Sequence, residues 1–122
     1  MIKAIVIDDE TNNQELICNL LSSYAENIQV ASVAGSVEDG YQAIVEHQPD
    51  LVFLDIQMPD GTGFDLLKKF EKINFKVIFV TAHQEYAIEA FKYSALDYLL
   101  KPLSPSNLIS AIKKVEESFN SD

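Results

Sequence analysis

Five short apolar runs alternate along the chain with longer segments of helical periodicity. The runs cover residues 4–7, 30–34, 51–54, 77–80 and 98–100. Most of them are continuously apolar rather than alternating with polar residues. Continuous apolar runs are typical of strands that are covered on both faces, as in a parallel sheet between helices. The pattern therefore predicts five buried strands.

Helix-start signals lie in the segments between these runs. They are Thr11 with Gln14, Ser36 with Asp39, Thr62, and Ser104 with Pro105. Short polar side chains cap helix N-termini, and proline is favoured in the first turn. The last segment also has the clearest amphipathic stripe, formed by Leu108, Ile112, Val115 and Phe119. A fourth helix is expected over residues 85–92, carrying Tyr86, Ile88 and Phe91. The aromatic residues Tyr86, Phe91 and Tyr93 either pack within the fold or form a partner surface, and the sequence leaves both readings open.

Regular alternation of strand and helix predicts an α/β fold. Five such units indicate a flavodoxin-like, doubly wound (βα)5 domain with a five-stranded parallel sheet in the order 2-1-3-4-5. A length of 122 residues suits one domain, so residues 1–122 are interpreted as a single unit. In this fold, ligands bind beyond the carboxyl ends of strands 1 and 3.

Composition and charge exclude several classes of function. The net charge is −10, and all nine basic residues are lysine, so this domain is not expected to contact nucleic acid directly. No apolar run approaches the ~20 residues of a membrane span, and the N-terminus does not resemble a signal peptide. Cys18 is the single cysteine and cannot form an internal disulfide. A cytoplasmic location without membrane contact is expected.

Polar side chains follow four of the predicted strands. Asp8, Asp9 and Glu10 come after the first, Asp55 after the third, Thr81 ends the fourth, and Lys101 follows the fifth. Carboxylates held close together repel, and a divalent cation such as Mg²⁺ removes that cost. Asp8, Asp9 and Asp55 carry −3, which Mg²⁺ and Lys101 balance. Such a site suits phosphoryl chemistry, in which a carboxylate can act as the nucleophile.

The order of these motifs resembles the receiver domain of two-component response regulators. The matching motifs are Asp8-Asp9, residues 54–59 with Gly61 and Gly63, residues 80–82, and Lys101-Pro102. The resemblance covers residues 2 to about 118. A narrower similarity, over residues 79–91 and 97–102, is to receivers that precede a LytTR-type DNA-binding domain (LytR/AlgR type).

The resemblance implies a role for each matching residue. Asp55 would be the phosphoacceptor. Mg²⁺, with Mn²⁺ as a substitute, would bind the side chains of Asp9 and Asp55 and the main-chain carbonyl of Gln57, while Asp8 would act through a metal-bound water. Lys101 and Thr81 would stabilise the phosphoryl group, Thr81 and Tyr98 would form the switch, and the Lys101–Pro102 peptide bond would be cis.

The resemblance also implies partners and an output. A sensor histidine kinase would supply the phosphoryl group. The face of helix 4, strand 5 and helix 5 carries charges of both signs, so we also expect phosphorylation to promote pairing with a second copy through this face. The domain would act as a signalling switch rather than as an enzyme, apart from its own phosphorylation and dephosphorylation. The chain is expected to be the N-terminal part of a longer regulator that controls transcription, with its output domain absent.

Other functions remain open at this point. A stand-alone receiver would act through protein–protein contacts alone. A phosphohydrolase with an aspartate nucleophile, of the haloacid dehalogenase class, would need a second acid two residues after Asp55, where this chain has Gln57. A flavodoxin-like flavin or nucleotide carrier would need a phosphate-binding loop after strand 1, where Asp8-Asp9-Glu10 would repel phosphate. A receiver that only docks would not need the complete acidic, threonine and lysine set.

Overall fold

The computed structural model describes residues 1–120, in which the five strands of the main sheet alternate with five helices. The elements are β1 (Ile2–Ile7), α1 (Thr11–Tyr24), β2 (Ile28–Ala34), α2 (Val37–His47), β3 (Leu51–Leu54), α3 (Gly63–Lys68), β4 (Lys76–Thr81), α4 (Ala87–Phe91), β5 (Asp97–Leu100) and α5 (Pro105–Asn120). Every neighbouring strand pair of the main sheet is parallel. The predicted order is confirmed, because the sheet runs β2-β1-β3-β4-β5.

The sheet separates two apolar layers, as its buried strands require. Alternate residues of β1 point to opposite sides, so Val6 packs with the layer under α1 and α5, whereas Ile7 packs with the layer under α2 and α3. The predicted stripe of α5 is confirmed, with Leu108, Ile112 and Val115 buried and Phe119 partly buried against it. Both sides of the central strands are therefore inaccessible to water.

Three of the predicted N-caps are confirmed. Ser36 accepts a hydrogen bond from Asp39 N, Thr62 forms a capping box with Asp65, and Ser104 accepts one from Asn107 N. The predicted capping box at Thr11 and Gln14 is wrong. The first helix already begins at Thr11, and its N-cap is Glu10, whose side chain makes no capping hydrogen bond. The side-chain amide of Gln14 instead donates to the carbonyl of Asp8 at 2.5 Å.

The fourth helix is short, it follows a 3₁₀ turn at Gln84–Tyr86, and its buried residue is Ala90. The sequence left open whether the aromatic residues of this segment pack or stay on the surface. Tyr86 and Tyr93 pack against the core, whereas the side chains of Ile88 and Phe91 are 79% and 66% exposed. The larger apolar residues of the helix itself therefore lie on the surface.

A two-stranded ribbon between β3 and α3 was not predicted. Gln57–Met58 pairs antiparallel with Gly61–Thr62, and Pro59 and Asp60 form its tip. Two-residue strands are too short to leave a periodic signal in the sequence. This ribbon, called the 57–62 hairpin below, leads directly out of the predicted acidic site.

An acidic pocket at the carboxyl edge of the sheet

Strand register brings the predicted site residues to one edge of the sheet. Ile7 pairs with Leu54, so the residues that follow them, Asp8 and Asp55, leave neighbouring strands side by side. At the other side of β4, Thr81 pairs with Leu100, the residue before Lys101. Residues far apart in sequence therefore meet because β1 and β3 end at the same level, and β4 and β5 end two residues beyond it at the same edge of the sheet.

Lys101 joins the two buried aspartates. Its Nζ lies 2.9 Å from Oδ2 of Asp55 and 2.9 Å from Oδ2 of Asp8. Asp8 is 1% exposed and Asp55 is 6% exposed. Burial alone would lower the pKa of Lys101, but the hydrogen bond to Asp55 and the charges of Asp55 and Asp8 outweigh burial and raise that pKa. The ammonium group is therefore held protonated between the two carboxylates.

The contact with Lys101 does not fully offset the cost of burying the charge of Asp8. Burial raises the pKa of Asp8 above its usual range, and this effect exceeds the opposing effects of the Glu10 backbone N–H and the Lys101 ammonium. Within residues 1–120, Oδ2 of Asp8 accepts no hydrogen bond of adequate geometry, so the lysine contact is ionic only. A buried carboxylate oxygen in this state is suited to a further positive group or to a bound water.

Four carboxylates gather at this edge. Asp8, Asp9, Glu10 and Asp55 each offer an oxygen atom, and these atoms lie within 4.8 Å of one another. Asp9 and Glu10 are exposed, so the pocket opens to solvent on the side of the β1–α1 loop. Hard oxygen ligands, a buried oxygen that accepts no hydrogen bond and an open side fit Mg²⁺, which retains several of its waters.

Glu10 is a member of the site to which no separate role was assigned. Its Oε1 lies 3.2 Å from Lys101 Nζ and also accepts a hydrogen bond from Asn13. Its backbone N–H donates to Oδ1 of Asp8 at 2.9 Å. The signal available in the sequence was its position directly after the acidic pair.

The Asp55 backbone is closely packed on the side of α3. A Cβ at Gly63 would lie 2.5 Å from the carbonyl oxygen of Asp55, so only glycine fits there. Gly63 N also donates to the carbonyl of Ile56 at 2.7 Å, and Ile56 N donates to Oδ1 of Asp55. These contacts fix the start of the 57–62 hairpin. Gln57 is exposed there, with its side-chain amide 3.3 Å from the Tyr86 hydroxyl.

Thr81 and Tyr98 are linked through His83. Thr81 is fully buried, and its Oγ1 accepts a hydrogen bond from His83 N at 3.4 Å. The hydroxyl group of Tyr98 donates to the carbonyl oxygen of the same His83. Burial, followed by the charge of Glu85, raises the pKa of Tyr98, so the phenol keeps its proton. The Lys101–Pro102 peptide bond, beyond the next strand end, is cis.

Comparison with known proteins assigns the family. Residues 4–113 match the family described as the response regulator receiver domain. The chain is 43% identical over 119 residues to an uncharacterized response regulatory protein of Vibrio vulnificus, and the match covers 97% of the chain and 49% of that protein. It is 34% identical over 123 residues to the sensory transduction protein LytT of Bacillus anthracis, with coverage of 99% and 50%.

A solved structure agrees with this assignment. The response regulatory domain of protein mrkE from Klebsiella pneumoniae superimposes with a TM-score of 0.89 at 26% identity, covering 98% of this chain and 99% of that one. The chain therefore belongs to the response regulator receiver family of two-component systems, a signalling domain rather than a conventional enzyme. It spans about half the length of the curated relatives that it matches. Within residues 1–120, no helix is both long and apolar enough to cross a membrane.

Proposed function

We propose that Asp55 is the phosphoacceptor of this receiver and that a sensor histidine kinase is the donor. The observation that carries the proposal is the position of Asp55, which is nearly buried but paired with a protonated Lys101 at 2.9 Å. A carboxylate that is paired with an ammonium group at the open edge of the sheet can act as a nucleophile. The family assignment supports the same partner, because receiver domains interact with histidine kinases.

In the proposed reaction, a carboxylate oxygen of Asp55 attacks the phosphorus atom of a phosphohistidine. The new O–P bond forms as the N–P bond breaks, and the imidazole nitrogen leaves with the electron pair and then takes up a proton. Lys101 exchanges its contact with the Asp55 carboxylate for one with a phosphoryl oxygen. The Thr81 hydroxyl donates to another phosphoryl oxygen. Both groups thus stabilise charge that grows on the transferred group.

Asp9, Asp55 and the main-chain carbonyl of Gln57 are the proposed ligands of Mg²⁺, with Asp8 acting through a metal-bound water. When bound, the ion neutralises charge on the phosphoryl oxygens and orients the donor, and Mn²⁺ can replace it. Two observations support this assignment: Oδ2 of Asp8 is buried and accepts no hydrogen bond, and the carboxylate oxygens are clustered.

The proposed switch passes from Thr81 to Tyr98. Movement of Thr81 towards a phosphorylated Asp55 would disturb the hydrogen bond that Thr81 accepts from His83 N. The carbonyl of the same His83 accepts the hydrogen bond of the Tyr98 hydroxyl. Two linked hydrogen bonds can therefore relay a change at Asp55 to β5. Such a relay biases a packing arrangement that has two states.

The surface formed by α4, β5 and α5 is the proposed output face. It carries charges of both signs and exposed apolar side chains, namely Glu85, Ile88, Glu89, Phe91, Lys92, Asp97, Leu100 and Lys113. Asp97 is already paired with Lys114 at 3.1 Å. The exposed apolar residues are therefore more available than Asp97 for contact with a partner. A self-complementary face of this kind can pair about a two-fold axis. Phosphorylation is proposed to promote this homodimer.

The wider protein is proposed to be a cytoplasmic transcription regulator. Residues 1–122 would form its receiver domain, and a LytTR-type domain would bind DNA. The half-length matches to LytT and to the Vibrio protein support a longer protein. Sequencing the complete reading frame tests this directly, since an immediate stop after Asp122 would support a stand-alone receiver instead.

Intact-mass measurement tests the phosphoacceptor. Incubation with acetyl phosphate and Mg²⁺ should add the mass of one phosphoryl group to the chain, whereas a chelator should prevent the addition. Asp55→Asn should abolish it, because an amide is not a competent nucleophile. Undiminished labelling of Asp55→Asn would place the acceptor elsewhere.

A further inference from the structure

The tip of the 57–62 hairpin is fastened to a helix that contributes no ligand to the acidic pocket. Oδ1 of Asp60 accepts a hydrogen bond from Val37 N at 2.8 Å, and Oδ2 accepts one from Glu38 N at 3.0 Å. Val37 and Glu38 are the first two residues of α2. One carboxylate from a distant loop therefore occupies the N-terminus of this helix with both of its oxygens.

This contact completes the capping of α2. The next N–H, that of Asp39, donates to the side chain of Ser36, and Gly40 N donates to the carbonyl of Ser36. A negatively charged group at a helix N-terminus is stabilised by the free N–H groups and by the helix dipole. Accordingly, the two backbone hydrogen bonds lower the pKa of Asp60, so it stays ionised at neutral pH. The hairpin and α2 are thus held together by a charge-assisted bidentate contact.

The base of the hairpin is fixed independently. The Gly63 N bond to Ile56 and the close approach of Gly63 to the carbonyl of Asp55 define where the hairpin leaves the sheet. Gln57 lies between this base and the Asp60 tip. The direction of its main-chain carbonyl therefore depends on both ends of the hairpin.

The segment that receives Asp60 also supports the other half of the pocket. Just before α2, the carbonyl of Ala34 accepts a hydrogen bond from Asp8 N at 2.9 Å. The side-chain amide of Gln14 contacts the carbonyls of both Asp8 and Ala34, at 2.5 Å and 3.4 Å. The β2–α2 junction, residues 34–38, is thus a common support for the loop that carries Asp8 and for the hairpin that carries Gln57.

We propose that Asp60 is a positioning residue for the divalent-cation site: it holds the Gln57 hairpin against the β2–α2 junction and so sets the spacing between the two halves of the pocket. The inference rests on the proposed function, because it concerns the same Mg²⁺ site. Groups that orient metal ligands without touching the metal commonly change affinity by about 10–100-fold when they are removed.

Three variants separate geometry from charge and from helix stability. Asp60→Ala removes both hydrogen bonds and one charge. Asp60→Asn removes the same charge but retains an acceptor oxygen for one of the two N–H groups. Ser36→Ala removes the other cap of α2 and leaves the hairpin contact in place. If Asp60→Ala does not fold, Asp60→Ser offers the same loss of charge with a side chain too short to bridge both amides.

Titration of each purified chain with MgCl₂ alone, at constant ionic strength and without a phosphodonor, gives the affinity from backbone amide shifts. We expect Asp60→Ala to bind Mg²⁺ about tenfold more weakly than the wild type. Asp60→Asn should recover most of that loss, and Ser36→Ala should melt at a lower temperature with unchanged affinity. The amide signals of Val37 and Glu38 should shift in both Asp60 variants, which reports the broken contacts directly.

Each alternative result has a distinct meaning. Equal affinity in Asp60→Ala and wild type would overturn the positioning role. Equal losses of Mg²⁺ affinity in Asp60→Ala and Asp60→Asn would assign the effect to charge. An equal loss of affinity in Ser36→Ala would assign it to fraying of α2. Either result would also overturn the positioning role. Absence of Mg²⁺ binding by the wild type would instead contradict the proposed metal site itself.

Discussion

Lys101 lies within 2.9 Å of Asp55 although the two residues are 46 positions apart in the chain. The same ammonium nitrogen also lies 2.9 Å from Asp8, so one cation serves two buried carboxylates. This arrangement depends on the parallel register, which ends β1 and β3 at one level and β5 two residues beyond it. The stability of the pocket and the proposed phosphoryl chemistry therefore depend on the same lysine.

Replacement of this lysine should destabilise the metal-free domain. Lys101→Met leaves Asp8 and Asp55 buried without their cation, and loss of one partner of a buried pair typically costs about 3–5 kcal/mol. Lys114→Met removes the more exposed pair with Asp97, for which about 1 kcal/mol or less is expected. Urea unfolding in a chelator compares the two variants. Equal losses would contradict the bridging role of Lys101, and added Mg²⁺ should restore part of the loss in Lys101→Met.

Replacement of Asp8 should stabilise the metal-free domain, in contrast to replacement of Lys101. Burial raises the pKa of Asp8 above its ordinary value of 3.8, so the ionised group opposes folding at neutral pH. Asp8→Asn should therefore raise the free energy of unfolding in a chelator at pH 7. As pH falls through the folded-state pKa, the wild type gains a proton on Asp8 and the difference should shrink. Unfolding curves in which Asp8→Asn is the less stable chain at pH 7 would refute this reading.

Gly63 should tolerate no side chain. An added Cβ would meet the carbonyl oxygen of Asp55 at 2.5 Å and Leu54 Cγ at 3.0 Å. Overpacking of this kind commonly costs about 1–3 kcal/mol, and here it also displaces Asp55, the proposed phosphoacceptor. Gly35→Ala is the matched control, because its Cβ would meet its nearest neighbour, the carbonyl of Asp8, at an ordinary 3.7 Å. Thermal unfolding and phosphorylation by acetyl phosphate should both be impaired in Gly63→Ala and nearly normal in Gly35→Ala.

Phosphorylation should increase self-association through α4. Beryllofluoride, a phosphoryl mimic, should shift the sedimentation profile from monomer towards dimer. Phe91→Ser should suppress that shift, since Phe91 is 66% exposed on the proposed face. Val45→Ser is the control, because Val45 is 51% exposed on α2, outside that face. An unchanged profile at high concentration with Asp55 occupied would contradict the dimer.

The coupling route can be tested separately from the dimer. Thr81→Ala removes the acceptor of the His83 N–H, and Tyr98→Phe removes the donor to the His83 carbonyl. Both variants should still be phosphorylated, but both should dimerise less than the wild type at equal occupancy of Asp55. Normal dimerisation of both variants would show that the signal takes another route.

Strand order and the location of the site followed from the sequence because both depend on local signals. Continuous apolar runs marked the buried strands, and polar residues directly after them marked the edge where Asp8, Asp55 and Lys101 meet. The sequence did not decide which residues around α4 pack, because so short a helix has no clear periodic stripe; in the structure Ala90 is buried and Ile88 and Phe91 are exposed. The capping signal at Thr11 was misleading, since the Gln14 amide donates to the carbonyl of Asp8 instead.

The support of the pocket was not predictable in this way. Asp60 is one polar residue in a turn-rich stretch, and its partners lie 23 and 22 positions earlier in the chain. Nothing in the local pattern identifies a side chain that caps another element. Such contacts depend on how the loops are placed in the folded chain, which the local sequence does not specify.

The phosphoacceptor is the central claim, and peptide mapping after reductive trapping tests it most directly. The chain would be incubated with acetyl phosphate and Mg²⁺, the acyl phosphate would be reduced with borohydride, and the digested peptides would be analysed by mass spectrometry. The account predicts that Asp55 alone is converted to homoserine, and only when Mg²⁺ is present. Conversion of Asp8 or Asp9 in place of Asp55, or equal conversion in the presence of a chelator, would contradict it.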